Sequence, residues 1–430
     1  MTTPDHKKPD FVIPCCLVQH TPMLHFQHKE TGVCLRGTEV KAKLDRFLLA
    51  QWRNEPIPPD WLIKNSPRPA LKYKIRIEGI GTPHKTYEIN KSYFGNMGAE
   101  KKGKEKLRTI FYKDGLELEI ICFNKELRDH IKAYLADFFL THNFSTRQSK
   151  GFGSFTVIPV PEKEEAQEAL KKYFPHYIHC PGGSDPMERA RILYALLKSG
   201  LNFTSYIKDG RKQPKNPKDY FKGFLIRQYI DMGIGSDKAF IKSEMKGLLT
   251  EPFQKIEVLT DRDLRTEAAP SYKTYLFIRA MLGLTDGYTF RDEARNDTVS
   301  VKPMDENINR FRSPITIKII GNDIYFLPHE IPEIMLEAPF HFSSQKMDQD
   351  RGKLREKQKK EKDKTKKEEL YRQEREMDPK EIFTPASFNV ADFLDKFAED
   401  FNGNNMREQI EEASDTFKLV KNLEIETSGK

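Results

Sequence analysis

Residues 147–157, RQSKGFGSFTV, carry the clearest chemical content in the chain. The triplet Gly151-Phe152-Gly153 sits between a basic lead-in, Arg147 and Lys150, and an alternating run that opens a strand. Glycine has no Cβ, so it permits a sharp turn and a close approach of the backbone to a ligand. A basic, glycine-rich loop entering a strand suits the backbone of a polyanion better than a small neutral substrate. Taken alone, the same triplet also fits a tight turn or bulge at a strand start. It has neither the GxxxxGK[ST] pattern nor the strand-then-helix context of a dinucleotide site, so no nucleotide cofactor is expected.

Four other segments carry candidate chemistry. In LRGTEVKAKLDRFL (35–48), Arg36 and Gly37 precede a helix whose first turns hold Lys41 and Lys43. A helix start offers free N–H groups and a positive dipole end, which phosphate favours; the same pattern also fits a plain amphipathic surface helix. RFRSPITIKII (310–320) repeats the theme, with Arg310 and Arg312 leading through Ser313-Pro314 into a strand. DYFKGFLIRQYI (219–230) mixes Lys222 and Arg227 with aromatics that suit base stacking, although Phe221, Phe224, Leu225 and Tyr229 also fit the core face of a helix. His20, His25 and His28 are the candidates for acid–base work or metal binding, but only Glu30 lies near as an acidic partner, so neither a catalytic residue nor a metal is expected.

Elements must position these groups. Residues 11–23 read as a strand ending at Thr21-Pro22, and 38–53 as a helix with Thr38 as its N-cap. Alternation over 71–78 predicts a half-buried strand. Residues 108–113 and 116–123 read as a hairpin across Asp114-Gly115, and 125–140 as an amphipathic helix. With one more strand near 84–89, the order is β-α-β-β-α-β, the split βαβ layout with both helices on one face of an antiparallel sheet. The glycine loop then lies between the second helix and the last strand. Residues 95–106 interrupt the unit with a glycine- and lysine-rich loop.

The second region, to about 340, reads as helix-rich, with helices at 186–200, 218–231 and 273–283 and a closing strand pair across Gly321-Asn322. Residues 345–377 are nearly all charged or amide-bearing and read as a solvated helix or a disordered linker, with an RNA-grazing arm as the alternative. Beyond them, Val390, Phe393, Leu394 and Phe397 form an amphipathic patch expected to dock on the body or on a partner.

The chain has 430 residues, of which 37% are hydrophobic and 32% charged, and its formal net charge of +8 favours an acidic partner such as nucleic acid. Five cysteines without CxxC spacing support neither a disulfide framework nor a zinc knuckle, so a reducing compartment fits. The polar N-terminus and the lack of a long apolar run predict a cytoplasmic protein without membrane partners.

These pieces together resemble the RAMP proteins, the RNA-recognition-motif-like subunits of CRISPR ribonucleoproteins. HTPMLHF (20–26) looks like the family's first strand ending in Thr-Pro, LRGTEVKAKLDRFL like its helix start, and RQSKGFGSFTV like its glycine-rich loop. RFRSPITIKII is similar to the Arg-x-x-Ser-Pro strand of the two-unit members, in particular the first subunit of the type III-B (Cmr) effector complex. One departure is Lys41-Ala42, where many members have Lys-Gly.

The resemblance implies an α+β protein of two tandem ferredoxin-like units, RRM-like and βαββαβ, with helical insertions and a charged C-terminal extension. The expected divisions are 1–162, 163–340, 341–380 and 381–430. It also implies a non-catalytic subunit that holds guide RNA, target RNA or both beside other effector subunits, and that needs no cofactor. Lys41 and Lys150-Gly151-Phe152-Gly153 follow from the resemblance as RNA contacts. Arg36, Lys43, Arg147, Arg310 and Arg312 are added from charge and placement. Two rival readings stand beside this one: a metal-independent endoribonuclease using His20 or His25, and a protein–protein scaffold.

Overall fold

Alternation along Val12–Gln19 sends Ile13 and Leu17 to one side of a strand, and both are buried. This strand, β1, is central to the first sheet. In the computed structural model, which describes residues 8–24, 33–52, 56–84, 109–202, 220–245, 272, 274–284, 288–292, 297–308, 310–376, 378, 380–403 and 423–428, the chain forms two compact units. The first comprises residues 1–191, 316–327 and 425–430, and the second comprises 192–315 and 328–424.

In the first unit, β1 is followed by helix α1 (Gly37–Gln51), strands β2 (Lys74–Gly79) and β3 (Leu116–Ile121), helix α2 (Lys125–Thr141) and strand β4 (Phe155–Val157). The sheet order is β2-β3-β1-β4, and every neighbouring pair is antiparallel. Register runs from Val12 opposite Ile121 to Leu17 opposite Leu116. The inward residues Leu17, Leu118, Ile120 and Phe155 share one core with Val40, Leu44 and Leu48 of α1 and Leu127, Ile131 and Phe138 of α2. Burying each such side chain contributes about 2 kcal/mol. Asn124 caps α2 by accepting a hydrogen bond from the Leu127 amide at 2.9 Å.

A second sheet also belongs to this unit. Helix α3 (Lys163–Lys171) leads to its first strand, β5 (Ile178–Cys180), which helix α4 (Pro186–Lys198) follows; strands β8 (Ile315–Ile320), β9 (Asp323–Pro328) and β12 (Glu426–Thr427) complete it, in the order β8-β9-β5-β12. Numbered by position in the chain, the strands of both sheets lie in the order 2-3-1-4. The strand pair around Gly321, expected to close a second domain, thus pairs with β5 of the first unit, and the expected division at 162 is not where the chain separates. The reason is the sheet itself: β5 needs a partner strand, and Ile324, Tyr325 and Phe326 supply one.

The second unit holds a four-stranded antiparallel meander, β6 (Tyr288–Asp292), β7 (Asp297–Pro303), β10 (Pro339–Ser344) and β11 (Lys380–Phe383). Its helices are α5 (Phe224–Asp231), α6 (Asp237–Glu244), α7 (Gln345–Lys360), α8 (Lys364–Glu376) and α9 (Val390–Asn402). The apolar stripe of α9 docks on α5, where Phe224 lies 5.4 Å from Phe393 and 5.7 Å from Phe397 between ring centres. Arg227 closes that contact with a two-pronged ion pair to Asp400.

Several expectations need correction. The expected hairpin of 108–113 with 116–123 does not form among the described residues: Thr109–Ile110 pairs with Met23–Leu24 instead, and Gln19 reaches across and accepts from the Tyr112 amide at 2.9 Å. Gly115 still turns the chain, with φ of 85° and a Cβ position only 2.3 Å from the Leu17 carbonyl oxygen. His84 makes a single bridge to Phe111, and residues 85–89, like the 95–106 loop, lie outside the described residues. Residues 273–283 contain a short 3-10 turn, Ile278–Leu282, rather than an α-helix. Thr38 is not the cap of α1, because the helix starts one residue earlier at Gly37 with Arg36 in the cap position.

Candidate nucleic-acid interface

The glycine loop is built from backbone hydrogen bonds and buried polar side chains. The Thr21 hydroxyl, fully buried, donates to the Gly151 carbonyl at 2.6 Å and accepts from the Ser154 amide at 2.9 Å. The Gly153 amide donates to the Pro22 carbonyl at 3.0 Å. Strand β8 supports the other side: the Ser154 hydroxyl donates to the Ile319 carbonyl at 2.6 Å, and Asn143 donates to the carbonyls of Gln148 and Ile317, both at 2.7 Å. The Thr-Pro at the end of β1 and the glycine loop are therefore halves of one clasp.

The two glycines serve this packing rather than the approach of a ligand. Gly153 has φ of 67°, and a Cβ there would lie 2.0 Å from the Phe144 carbonyl oxygen. Gly151 has φ of 85° and faces Ile319. Phe152 is 5% exposed, so its ring is a core element and offers no stacking surface.

Of the lysines on α1, both are engaged within the fold. The Lys41 ammonium bridges the Asp45 carboxylate at 3.0 Å, donates to the Leu71 carbonyl at 2.8 Å and sits 3.8 Å from the centre of the Tyr73 ring. The i,i+4 spacing of Lys41 and Asp45 sets the pair side by side on the helix. Lys43 donates to Glu39 at 2.7 Å, to the Asn143 carbonyl at 2.8 Å and to Gln148 at 2.7 Å. The Glu39 carboxylate in turn accepts from the Ser145 amide at 2.9 Å. These bonds lash the first two turns of α1 to the loop, joining two basic segments about a hundred residues apart in the chain.

Arg36, at the start of α1, makes no side-chain cap bond to its own helix and is partly exposed. Arg147 occupies a left-handed backbone position, φ 62°, and its carbonyl accepts from the Lys150 amide at 2.8 Å. Burial pulls the Arg147 pKa below its ordinary value. Lys150 is partly exposed and bridges to Ile317 through its backbone. Arg310 and Arg312 are exposed on the second unit, in the approach to β8. Lys222 and Arg227 flank the start of α5, whose Phe224, Leu225 and Tyr229 are buried core residues.

His20 is committed to structure. Its Nδ1 accepts from the Gly321 amide at 3.1 Å, which leaves Nε2 to donate to Thr156 Oγ1 at 2.8 Å. Burial, reinforced by the Lys318 charge, lowers its pKa to about 4. His25 and His28 lie outside the described residues.

Lys318 is fully buried and donates to three carbonyls, those of Phe139 (2.7 Å), Phe155 (2.9 Å) and His142 (3.0 Å). It sits at the C-terminal end of α2, where a cation is favoured, although burial pushes its pKa well down. Sequence reasoning missed Thr21, Asn143, Ser154 and Lys318. The only signal was polar residues at the ends of elements, and Lys318 fell on what looked like the wet side of an alternating strand.

The open face of the first sheet is a different surface. Rows Pro14–Glu119–Arg76 and Cys16–Glu117–Glu78 cross it, with Lys8 paired to Glu119 at 2.7 Å. Three carboxylates among these residues make the face unfavourable for phosphate.

Two family models match the chain, the Cmr1 N-terminal domain over residues 11–201 and the Cmr1 C-terminal domain over residues 220–422. No curated protein matches. Among solved structures, the chain is similar to a crystal structure of Cmr1 from Pyrococcus furiosus in the apo form, with 10% identity, a TM-score of 0.33, and coverage of 75% of this chain and 90% of that one. The two domain models place this α+β protein among the RAMP proteins of type III-B CRISPR systems. The chain belongs to the Cmr1 family. Among the described residues, no helix is long and apolar enough to cross a membrane.

Proposed function

We propose that this protein is a non-catalytic, cytoplasmic RNA-binding subunit of a type III-B CRISPR effector complex, contacting guide RNA and target RNA beside other effector subunits. The scaffold is two ferredoxin-like repeats, a reading supported by the 2-3-1-4 strand order in both sheets. In chain order α4 follows β5 and α9 precedes β12, the places that helices hold in that layout.

The observation that carries the RNA reading is the junction of α1 with the glycine loop through Glu39–Ser145 and Lys43–Gln148. It brings the segments bearing Arg36, Arg147 and Lys150 together at one edge. Lys41, Gly151, Phe152 and Gly153 support that edge from within, while Arg310 and Arg312 are exposed on the second unit. Contacts of this kind hold phosphates without reading bases, leaving sequence to the guide.

The test is anisotropy of a labelled single-stranded RNA across a salt series. Arg147→Ala with Lys150→Ala is expected to weaken binding and to flatten the log–log salt slope by about 1.4, at ~0.7 for each phosphate no longer neutralised. An unchanged affinity and slope would refute this assignment. Cleavage of repeat RNA in EDTA that disappears with His20→Ala would replace it with the endoribonuclease reading.

A further inference from the structure

Residues 345–376 form a helical hairpin, α7 and α8, whose charges are sorted along its length. Its lower part pairs them: Arg355 with Glu374 at 2.5 Å, Arg351 with Asp378 at 3.2 Å and Lys353 with Asp350 at 2.8 Å. Gln358, 5% exposed, bonds across to the Leu370 carbonyl at 3.1 Å and to Glu374 at 2.7 Å, and Leu354 is buried beside it. The tip differs. Between 357 and 367 the chain has seven lysines against two acids, Glu361 and Asp363. Lys357, Lys359, Lys360, Lys362, Lys364 and Lys366 are exposed, and their side chains make no hydrogen bond or ion pair with any described residue.

Helix stability does not account for this placement. Lysines at the end of α7 complement its dipole, but Lys364, Lys366 and Lys367 open α8, where a cation costs about 0.3–1 kcal/mol. The first turn of α8 holds no acid. Asp363 takes up the free amides instead, accepting from Thr365 at 2.9 Å and from Lys366 at 3.2 Å. About 24 Å of α7, at 1.5 Å per residue, separates this end from β10. The hairpin is thus a braced arm whose positive charge is concentrated at its far end.

We propose that the tip of the α7–α8 hairpin is a phosphate-contact surface for RNA, separate from the edge formed by α1 and the glycine loop. The proposal rests on the RNA-binding reading above. A protein partner fits less well: strong protein interfaces are anchored by Trp, Tyr and Arg and depleted in Lys, and residues 357–367 contain only Lys, Gln, Thr, Glu and Asp. An array of lysines without apolar neighbours matches sequence-independent backbone binding.

The test uses the full chain and a labelled single-stranded RNA in 50–200 mM KCl. One variant carries Gln at the six tip lysines, and a second carries Arg there. A third removes equal charge from exposed lysines of the first unit: Lys64, Lys72, Lys74, Lys113, Lys132 and Lys171. Gln and Arg match Lys in helix propensity, so all variants are expected to keep the wild-type circular dichroism. The Gln variant is expected to bind at least about tenfold more weakly at 100 mM salt, with a salt slope lower by about 2, while the Arg variant binds like wild type and the third loses less than about threefold. If the Gln variant binds within twofold of wild type with an unchanged slope, while Arg147→Ala with Lys150→Ala still weakens binding, the tip proposal fails and the RNA reading stands. An equal loss in the third variant also overturns it, because bulk charge would then explain the effect. Absence of wild-type binding at 50 mM salt overturns both.

Discussion

Thr21→Val tests the clasp that shapes the glycine loop. Valine keeps the volume of threonine and deletes one hydroxyl. The structure names the groups left behind: the Ser154 amide, which loses an acceptor at 2.9 Å, and the Gly151 carbonyl, which loses a donor at 2.6 Å. Both residues are buried, so water cannot replace the missing partner. A buried polar group left unpaired costs about 1–3 kcal/mol, so the pair predicts about 2–4 kcal/mol. For a unit of this size that is about 5–15 °C in Tm. The assay is urea unfolding followed by tryptophan fluorescence. Both tryptophans of the chain, Trp52 and Trp61, lie in the first unit, with ring centres 4.8 Å apart, so the signal reports on that unit. Thr21→Ser keeps the hydroxyl and is expected to lose only about 1 kcal/mol for the missing methyl. A Thr21→Val stability within 0.5 kcal/mol of wild type, or no lower than that of Thr21→Ser, would refute the clasp.

Three further outcomes concern the first unit. Gly153→Ala drives a methyl to 2.0 Å from a backbone oxygen at φ 67° and is expected to destabilise the first unit by more than about 3 kcal/mol. Gly182→Ala, at φ 56° with open space around its Cβ, is expected to cost only about 1–2 kcal/mol in the same unfolding assay. His20 predicts a pH dependence. Its pKa is lowered from 6.5 to about 4 in the fold, so between those values the unfolded chain binds the extra proton. Stability is therefore full above pH 6.5 and falls as pH drops toward 4, by about 2 kcal/mol between pH 7 and pH 5 at ~1.4 kcal/mol per unit. His20→Asn should flatten that slope, and a slope unchanged in the variant would count against the assignment.

The elements of the first sheet and its two helices were legible because each obeys a local rule. The apolar spacing of Val40, Leu44 and Leu48 marks α1, the apolar face of Leu127, Ile131, Leu135 and Phe138 marks α2, and alternation marks β2. What was not legible depends on partners far away in sequence. ITIKII reads as an alternating strand, but all six positions of β8, Lys318 included, are buried. Lys41 reads as a phosphate ligand until Tyr73 and Leu71 fold over it, and Phe152 reads as part of an RNA-contacting loop until its ring packs inside. The 345–377 segment reads as solvated because its hairpin is braced by Gln358 and Arg355 rather than by apolar side chains. In each case the local charge was read correctly, and its use was set by tertiary contacts that no local pattern encodes.

The support that β8 gives the glycine loop also bears on how the protein is made. Ser154 and Asn143 close their bonds on Ile319 and Ile317, and His20 closes on Gly321, so the amino-terminal half cannot finish its own loop. During synthesis the first sheet emerges with its strands and helices complete but with the clasp supported on one side only. It must wait for some 160 more residues, including much of the other unit. Contacts of such long sequence separation are slow to form and leave intermediates exposed. Folding order thus makes the completed loop a report that the chain has been translated through β8 to Gly321.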